Sequence, residues 1–185
     1  MKQILFSALM LVFAQSEAQI KNSQDILGGL LTRAGVAKRQ PLSHQQLVDL
    51  CEAGYTQAYF LYGGARPQTI SCRKGEISYR SLKDFRTPEN MDLILNNIRN
   101  GVSTGERTFV HCNNGAHASG FVGAVVLRSF CGLGSKPAVS YWGRTLGGYP
   151  LQEPNRGSLM RRLSTYPIRT ELELSNSEKS RLGCP

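Results

Sequence analysis

Residues 107–111 read Arg107, Thr108, Phe109, Val110 and His111, a run too short and too rich in β-branched and aromatic side chains for a helix. It ends at Cys112 and passes through a short loop containing Gly115 into an apolar stretch, residues 120–130. That stretch reads as a helix buried in the centre of the fold. A strand, a tight loop and a buried helix in that order need a layered α/β arrangement, with a central sheet flanked by helices. The same order aims backbone N–H groups and the positive end of a helix dipole at one point in space. An anion such as phosphate fits there.

The rest of the chain supports an α/β layer. Ser43 followed by Gln46 has the spacing of a capping box, with Leu47, Leu50 and Cys51 on one helical face and Gly54 as the stop. Residues 55–62 are rich in aromatics, end at Gly63 and Gly64, and read as a strand; residues 77–82 read as another. A loop at 83–87 leads to Thr87 as N-cap and Pro88 as first helical residue, with Met91, Leu93, Ile94 and Ile98 forming an apolar stripe. Before Pro41 the pattern is mixed and suggests a short helix at 23–33. Beyond Gly132 the sequence looks helical in pieces, best at 140–143 and 159–166, with Tyr141 and Trp142 expected in the core.

Residues 1–18 have a short positive start, an apolar run from Ile4 to Ala14, and small residues at Ser16 and Ala18. They are expected to be an export signal cleaved after Ala18, because the run is shorter than the ~20 residues of a membrane span. Residues 19–185 then form one domain, exported to a periplasm or secreted, with no stable membrane anchor. The formal charge is +9, and losing Lys2 and Glu17 with the signal leaves it at 9 − 1 + 1 = +9. Such a charge favours anionic partners. The basic residues Arg161, Arg162 and Arg169 are scattered and no stacking motif accompanies them, so nucleic acid is not the expected partner. Five cysteines, Cys51, Cys72, Cys112, Cys131 and Cys184, suggest two disulfides and one thiol. Four cysteines allow three connectivities; Cys51 with Cys72 and Cys131 with Cys184 is favoured, because the second pair would pin the tail to the core.

The loop itself carries the chemistry. A cysteine at the end of a strand and the start of a helix sits in a field that favours its thiolate, which can attack phosphorus. Gly115 lets the backbone turn its N–H groups inward, and Ser119 is placed to hydrogen-bond the sulfur. The pattern His111, Cys112, two residues, Gly115, three residues, Ser119, Gly120 resembles the signature of the protein tyrosine and dual-specificity phosphatase superfamily. Upstream, Asp84 followed four residues later by Pro88 resembles that group's mobile acid loop, and 112 − 84 = 28 residues separate it from Cys112. The likeness covers about residues 41–133 and leaves 134–185 as a helical extension.

The resemblance implies a dual-specificity-phosphatase-like fold. It implies catalysis by Cys112 as nucleophile, Asp84 as general acid and Ser119 as the hydroxyl partner of the thiolate. Asn113, Asn114, Gly115, Ala116, His117, Ala118 and Gly120 would line the substrate, and His111 would hold the loop from behind. In the family the position of Ala118 carries an arginine that grips two phosphate oxygens. Alanine has no donor, and losing one such donor commonly costs on the order of 10²–10³ in rate. Arg86, on the acid loop, and His117, beside the gap, are candidate substitutes. Neither a cofactor nor a metal is implied, since His111, Cys112, His117 and His44 do not supply a closed zinc site, and no Cys-x-x-Cys pair suggests redox exchange.

Two functions therefore stay open: hydrolysis of phosphomonoesters through a phosphocysteine, or a pseudophosphatase that binds phosphorylated ligands. A phosphorylated small molecule or a phosphoprotein would suit either.

Overall fold

The structure, a computed structural model, describes residues 19–144, 146 and 155–185. The proposed export signal at 1–18 lies outside them. Six strands form one mixed sheet: β1 (Ile20–Ile26), β2 (Leu31–Val36), β3 (Tyr55–Phe60), β4 (Gln68–Cys72), β5 (Gly75–Ser81) and β6 (Arg107–Cys112), in the order β1-β2-β6-β3-β5-β4. The four inner strands are parallel and the two edges antiparallel. Parallel strands put all their exits on one edge, where ligands bind in open α/β sheets. The exits after Val36, Phe60, Ser81 and Cys112 share that edge.

Helix α1 (His44–Glu52) lies under one face, over a core that includes Leu47, Phe60, Ile77, Tyr79 and Phe109. The other face carries α2 (Pro88–Thr104) and α3 (Ala118–Cys131), followed by α4 (Ser135–Arg144), α5 (Asn155–Thr165) and α6 (Asn176–Arg181). Local signals set the helix ends as expected. Ser43 and Gln46 form a reciprocal capping box, and Thr87 Oγ accepts from the Asn90 N–H ahead of Pro88 at the first turn. Helix α3 is apolar on most faces because most are covered, with Phe121, Val122, Val125 and Phe130 fully buried and only Arg128 and Cys131, in its last turn, half-exposed.

The helix expected at 23–33 is absent. That segment is the antiparallel pair β1 and β2, joined at Leu27–Gly29 by a tight 3-10 turn. Gln24, Ile26 and Leu31 pair across this hairpin or its neighbour, and β2 is inserted beside β6, so tertiary pairing overrides a weak helical pattern. The sheet thus begins upstream of residue 41. Strand β4 also escaped the sequence, because as an edge strand it buries only Ile70 below a tenth exposure.

Both disulfides form as favoured, Cys51 to Cys72 and Cys131 to Cys184, and Cys112 is free and buried. They are compatible with an extracellular location. Among the described residues no helix is long and apolar enough to cross a membrane. The C-terminal segment is part of the core: Trp142 is fully buried, and Phe121 stacks edge-on against both Trp142 and Tyr166.

Candidate active site

Cys112 closes β6, and the loop 113–117 rises from it to the start of α3. Three successive carbonyls of this loop are held from outside by side chains. Asn22 Nδ2 donates to the Asn114 carbonyl at 3.3 Å, the Arg33 guanidinium donates to the Gly115 carbonyl, and Trp142 Nε1 donates to the Ala116 carbonyl at 2.9 Å. In a trans peptide the N–H points opposite to the C=O. Pinning those three carbonyls outward therefore turns the N–H groups of Gly115, Ala116 and His117 toward the concave side, as an anion nest requires.

Backbone packing explains why glycines stand at two of these places. Gly115 has φ +69, a left-handed conformation, and a Cβ there would press on the backbone of Gly35. A Cβ on Gly35 would in turn overlap Asn114 and Gly115. Gly35 pairs with Cys112 across β2 and β6, so the loop folds back onto the strand beside its own. Gly120 has a different task. It lies in the first turn of α3, where a Cβ would run into the Trp142 indole, so it packs the helix and does not face the anion.

Within the nest, Cys112 Sγ lies 3.4 Å from Ser119 Oγ, and both residues are buried. Ala118, first residue of α3, is 4% exposed and offers no donor. His117 precedes it, half-buried, with no side-chain cap on the helix. Asn113 points its Oδ1 to the backbone N–H of Arg39 at 2.9 Å. His111 faces the opposite side of the sheet, stacked on Phe60 at 4.8 Å and bonded through Nε2 to the Tyr79 hydroxyl at 2.8 Å. It therefore supports the loop from below.

Burial pushes His111 down to about 3, so the folded protein keeps it neutral. The unfolded chain binds its proton near 6.5, hence stability from this group is complete above about 6.5 and falls as pH drops toward 3. Denaturant midpoints of wild type should fall from pH 6.5 to pH 5, above the range of most carboxylates, and less so in His111→Gln. Parallel profiles for the two proteins would remove His111 from this role.

Asp84 lies in the turn after β5, on the same edge of the sheet. Its carboxylate receives both Nε (3.1 Å) and the backbone N–H (3.3 Å) of Arg86, while Asn90 Nδ2 bonds its carbonyl. The Arg86 hydrogen bond holds its carboxyl below the usual carboxylate range, against a smaller opposing effect of burial. A general acid at neutral pH needs the reverse. Arg86 is turned to Asp84 and lies over the Phe85 ring, with its guanidinium carbon 5.7 Å from the centroid. The structure thus pairs the two acid-loop residues with each other.

Sequence reasoning missed Arg33, Asn22, Tyr79 and Trp142 as the supports of this loop. Arg33 is fully buried in β2, where it also donates to Gln24 Oε1. Its signal was available: a lone arginine among Leu31, Ala34 and Val36 marks a buried strand with a charged task. Arg33→Met should orphan the Gly115 carbonyl and cost about 1–3 kcal/mol of unfolding free energy. Urea unfolding measures it, and a change under half a kcal/mol would mean the loop stands without this bond.

No protein-family model matches the chain, and no curated protein matches it in sequence. Solved structures do match in fold. A mutant form of Tk-PTP has 21% identity and a TM-score of 0.53, covering 77% of this chain and 93% of that one. The human tyrosine phosphatase-like serine/threonine/tyrosine-interacting protein has 16% identity and a TM-score of 0.54, covering 78% and 94%. TpbA of P. aeruginosa has 12% identity and a TM-score of 0.54, covering 86% and 98%. The chain has the α/β fold of the dual-specificity and tyrosine phosphatases.

Proposed function

We propose that this chain is an exported phosphatase-like protein that binds phosphomonoesters in the loop around Cys112 and hydrolyses them slowly through a phosphocysteine. The observation that carries the reading is the outward pinning of the 114, 115 and 116 carbonyls, which faces N–H groups to the one cysteine kept out of a disulfide. In the reaction the Cys112 thiolate attacks phosphorus and the ester oxygen departs. Water then cleaves the S–P bond and releases phosphate. Ser119, 3.4 Å from the sulfur, can donate to the thiolate when it is the leaving group of the second step.

Slowness follows from two observations. Ala118 gives no guanidinium to the transition state, and Asp84 is held as a carboxylate by Arg86. The same pair of observations favours the second reading, a binding module that recognises a phosphorylated ligand without turnover. Aryl phosphate hydrolysis and phosphate-induced shifts in melting temperature, each on wild type and Cys112→Ser, separate the two. Hydrolysis confined to wild type supports the enzyme; a melting shift with no turnover in either supports the binder. Equal turnover in both proteins would overturn the phosphocysteine.

A further inference from the structure

The gap at Ala118 leaves the question of what faces the anion from above. The turn after β2 supplies a candidate. Lys38 and Arg39 both adopt left-handed backbone, φ +61 and +53, which is uncommon for such residues and marks a turn held in place by its surroundings. Asn113, the first residue beyond Cys112, holds it, through the 2.9 Å bond from the Arg39 N–H to Asn113 Oδ1.

The Arg39 side chain reaches the Tyr62 ring. Its guanidinium carbon stands 5.6 Å from the centre of the Tyr62 ring, and Tyr62 lies two residues beyond the end of β3. The strand order is β2, β6, β3. A side chain rooted after β2 and a ring rooted after β3 meet across the intervening strand, at the exit of β6 where Cys112 and the loop lie. Electrostatics agree with this placement: the Tyr62 hydroxyl is held above the usual tyrosine range by burial and then by the charge of Cys112, with Arg39 opposing. Tyr62 thus feels both groups.

The segments leaving the four parallel strands, residues 36–43, 61–67, 82–87 and 113–117, contain Lys38, Arg39, Arg66, Lys83 and Arg86 against a single carboxylate, Asp84. Arg39 is exposed, and the one carboxylate on these segments, Asp84, is engaged by Arg86.

Resting on the phosphomonoester reading above, we infer that Arg39 is the guanidinium that closes the anion site from the β2 turn, gripping the bound anion in the ground state and leaving the transition-state contact missing at Ala118 unfilled. A planar, charged fork above a ring of N–H groups suits the outer oxygens of a phosphate. The Tyr62 ring keeps that fork extended when the site is empty.

Calorimetric titration with inorganic phosphate at fixed ionic strength tests this. Arg39→Asn keeps a residue that tolerates left-handed backbone and keeps the N–H to Asn113, so its melting temperature should match wild type. Its phosphate Kd should rise about tenfold or more, the scale of a lost charged hydrogen bond. Arg39→Lys should recover part of the loss, and Arg73→Ala, an exposed arginine bound to Glu52, should stay within about twofold of wild type. Adding Ala118→Arg to Arg39→Asn should restore binding, a rescue that a merely structural role for Arg39 would not give. Unchanged affinity in Arg39→Asn overturns the assignment while leaving the loop site standing. Wild type that binds no phosphate at all overturns both.

Discussion

Replacing Ala118 by arginine is expected to raise turnover of an aryl phosphate by about 10²–10³, the reverse of removing one charge-stabilising donor from a transition state. The site is prepared for it. Residue 118 is the first of α3, and side chains in a helix tilt toward its N-terminus, so an arginine there is directed back over the loop. The loop carbonyls are already pinned outward and Cys112 is already free. The added charge would complete an existing nest. Because Ala118 is nearly buried, the longer side chain must leave through the mouth of the site, and a melting temperature within a few degrees of wild type would show that it does. The gain must vanish in Ala118→Arg with Cys112→Ser, since the arginine has no chemistry of its own. A wild type that already turns over well, with no gain from Ala118→Arg, would mean that another donor serves the transition state, and Arg39, inferred above to face the anion, is the residue to remove next.

The strand, loop and helix around Cys112 were legible because their pattern is local. His111, Cys112, Gly115, Ser119 and Gly120 lie within ten positions of one another, and strand-loop-helix patterning flanks them on both sides. Helix starts at Ser43 and Thr87 were legible for the same reason, since a cap and its partner are three residues apart. What stayed hidden depends on sequence separations of 26 to 92. The bonds from Arg39 to Asn113, from Arg33 to Gly115 and from Asn22 to Asn114 join the first strands to the loop only after β2 is inserted beside β6. A short hairpin at 20–36 gives no clue to its partner strand, and its Gly28 and Gly29 sit in a turn that periodicity cannot register. Asp84 shows the opposite limit. Its position suggested an acid, while its ionisation is set by Arg86, two residues away, in a geometry that spacing alone does not define.

Reductant is expected to lower the activity of this protein, although the proposed chemistry depends on a thiol. The bridges close segments of 21 and 53 residues, which in the chain-entropy account restrain the unfolded state by about 3 and about 4 kcal/mol. Their sum, about 7 kcal/mol, is comparable to the whole stability of a typical domain. The longer one ties Cys184 to the end of α3, whose other end is the active loop, so loosening the tail loosens the helix that presents Ser119. Cys131→Ala with Cys184→Ala should lower the melting temperature by roughly 8–16 °C, at about 2–4 °C per kcal/mol for a chain of this size. Meanwhile Cys112 gains little from a reductant: it is 2% exposed, and the four other cysteines are consumed in the two bridges, leaving no thiol in the chain to pair with it. Dithiothreitol should therefore depress both melting temperature and turnover together, with the double alanine variant already lowered and less sensitive to it. Higher turnover and an unchanged melt under dithiothreitol would mean that Cys112 is oxidised in the isolated protein and that the bridges carry little of the fold.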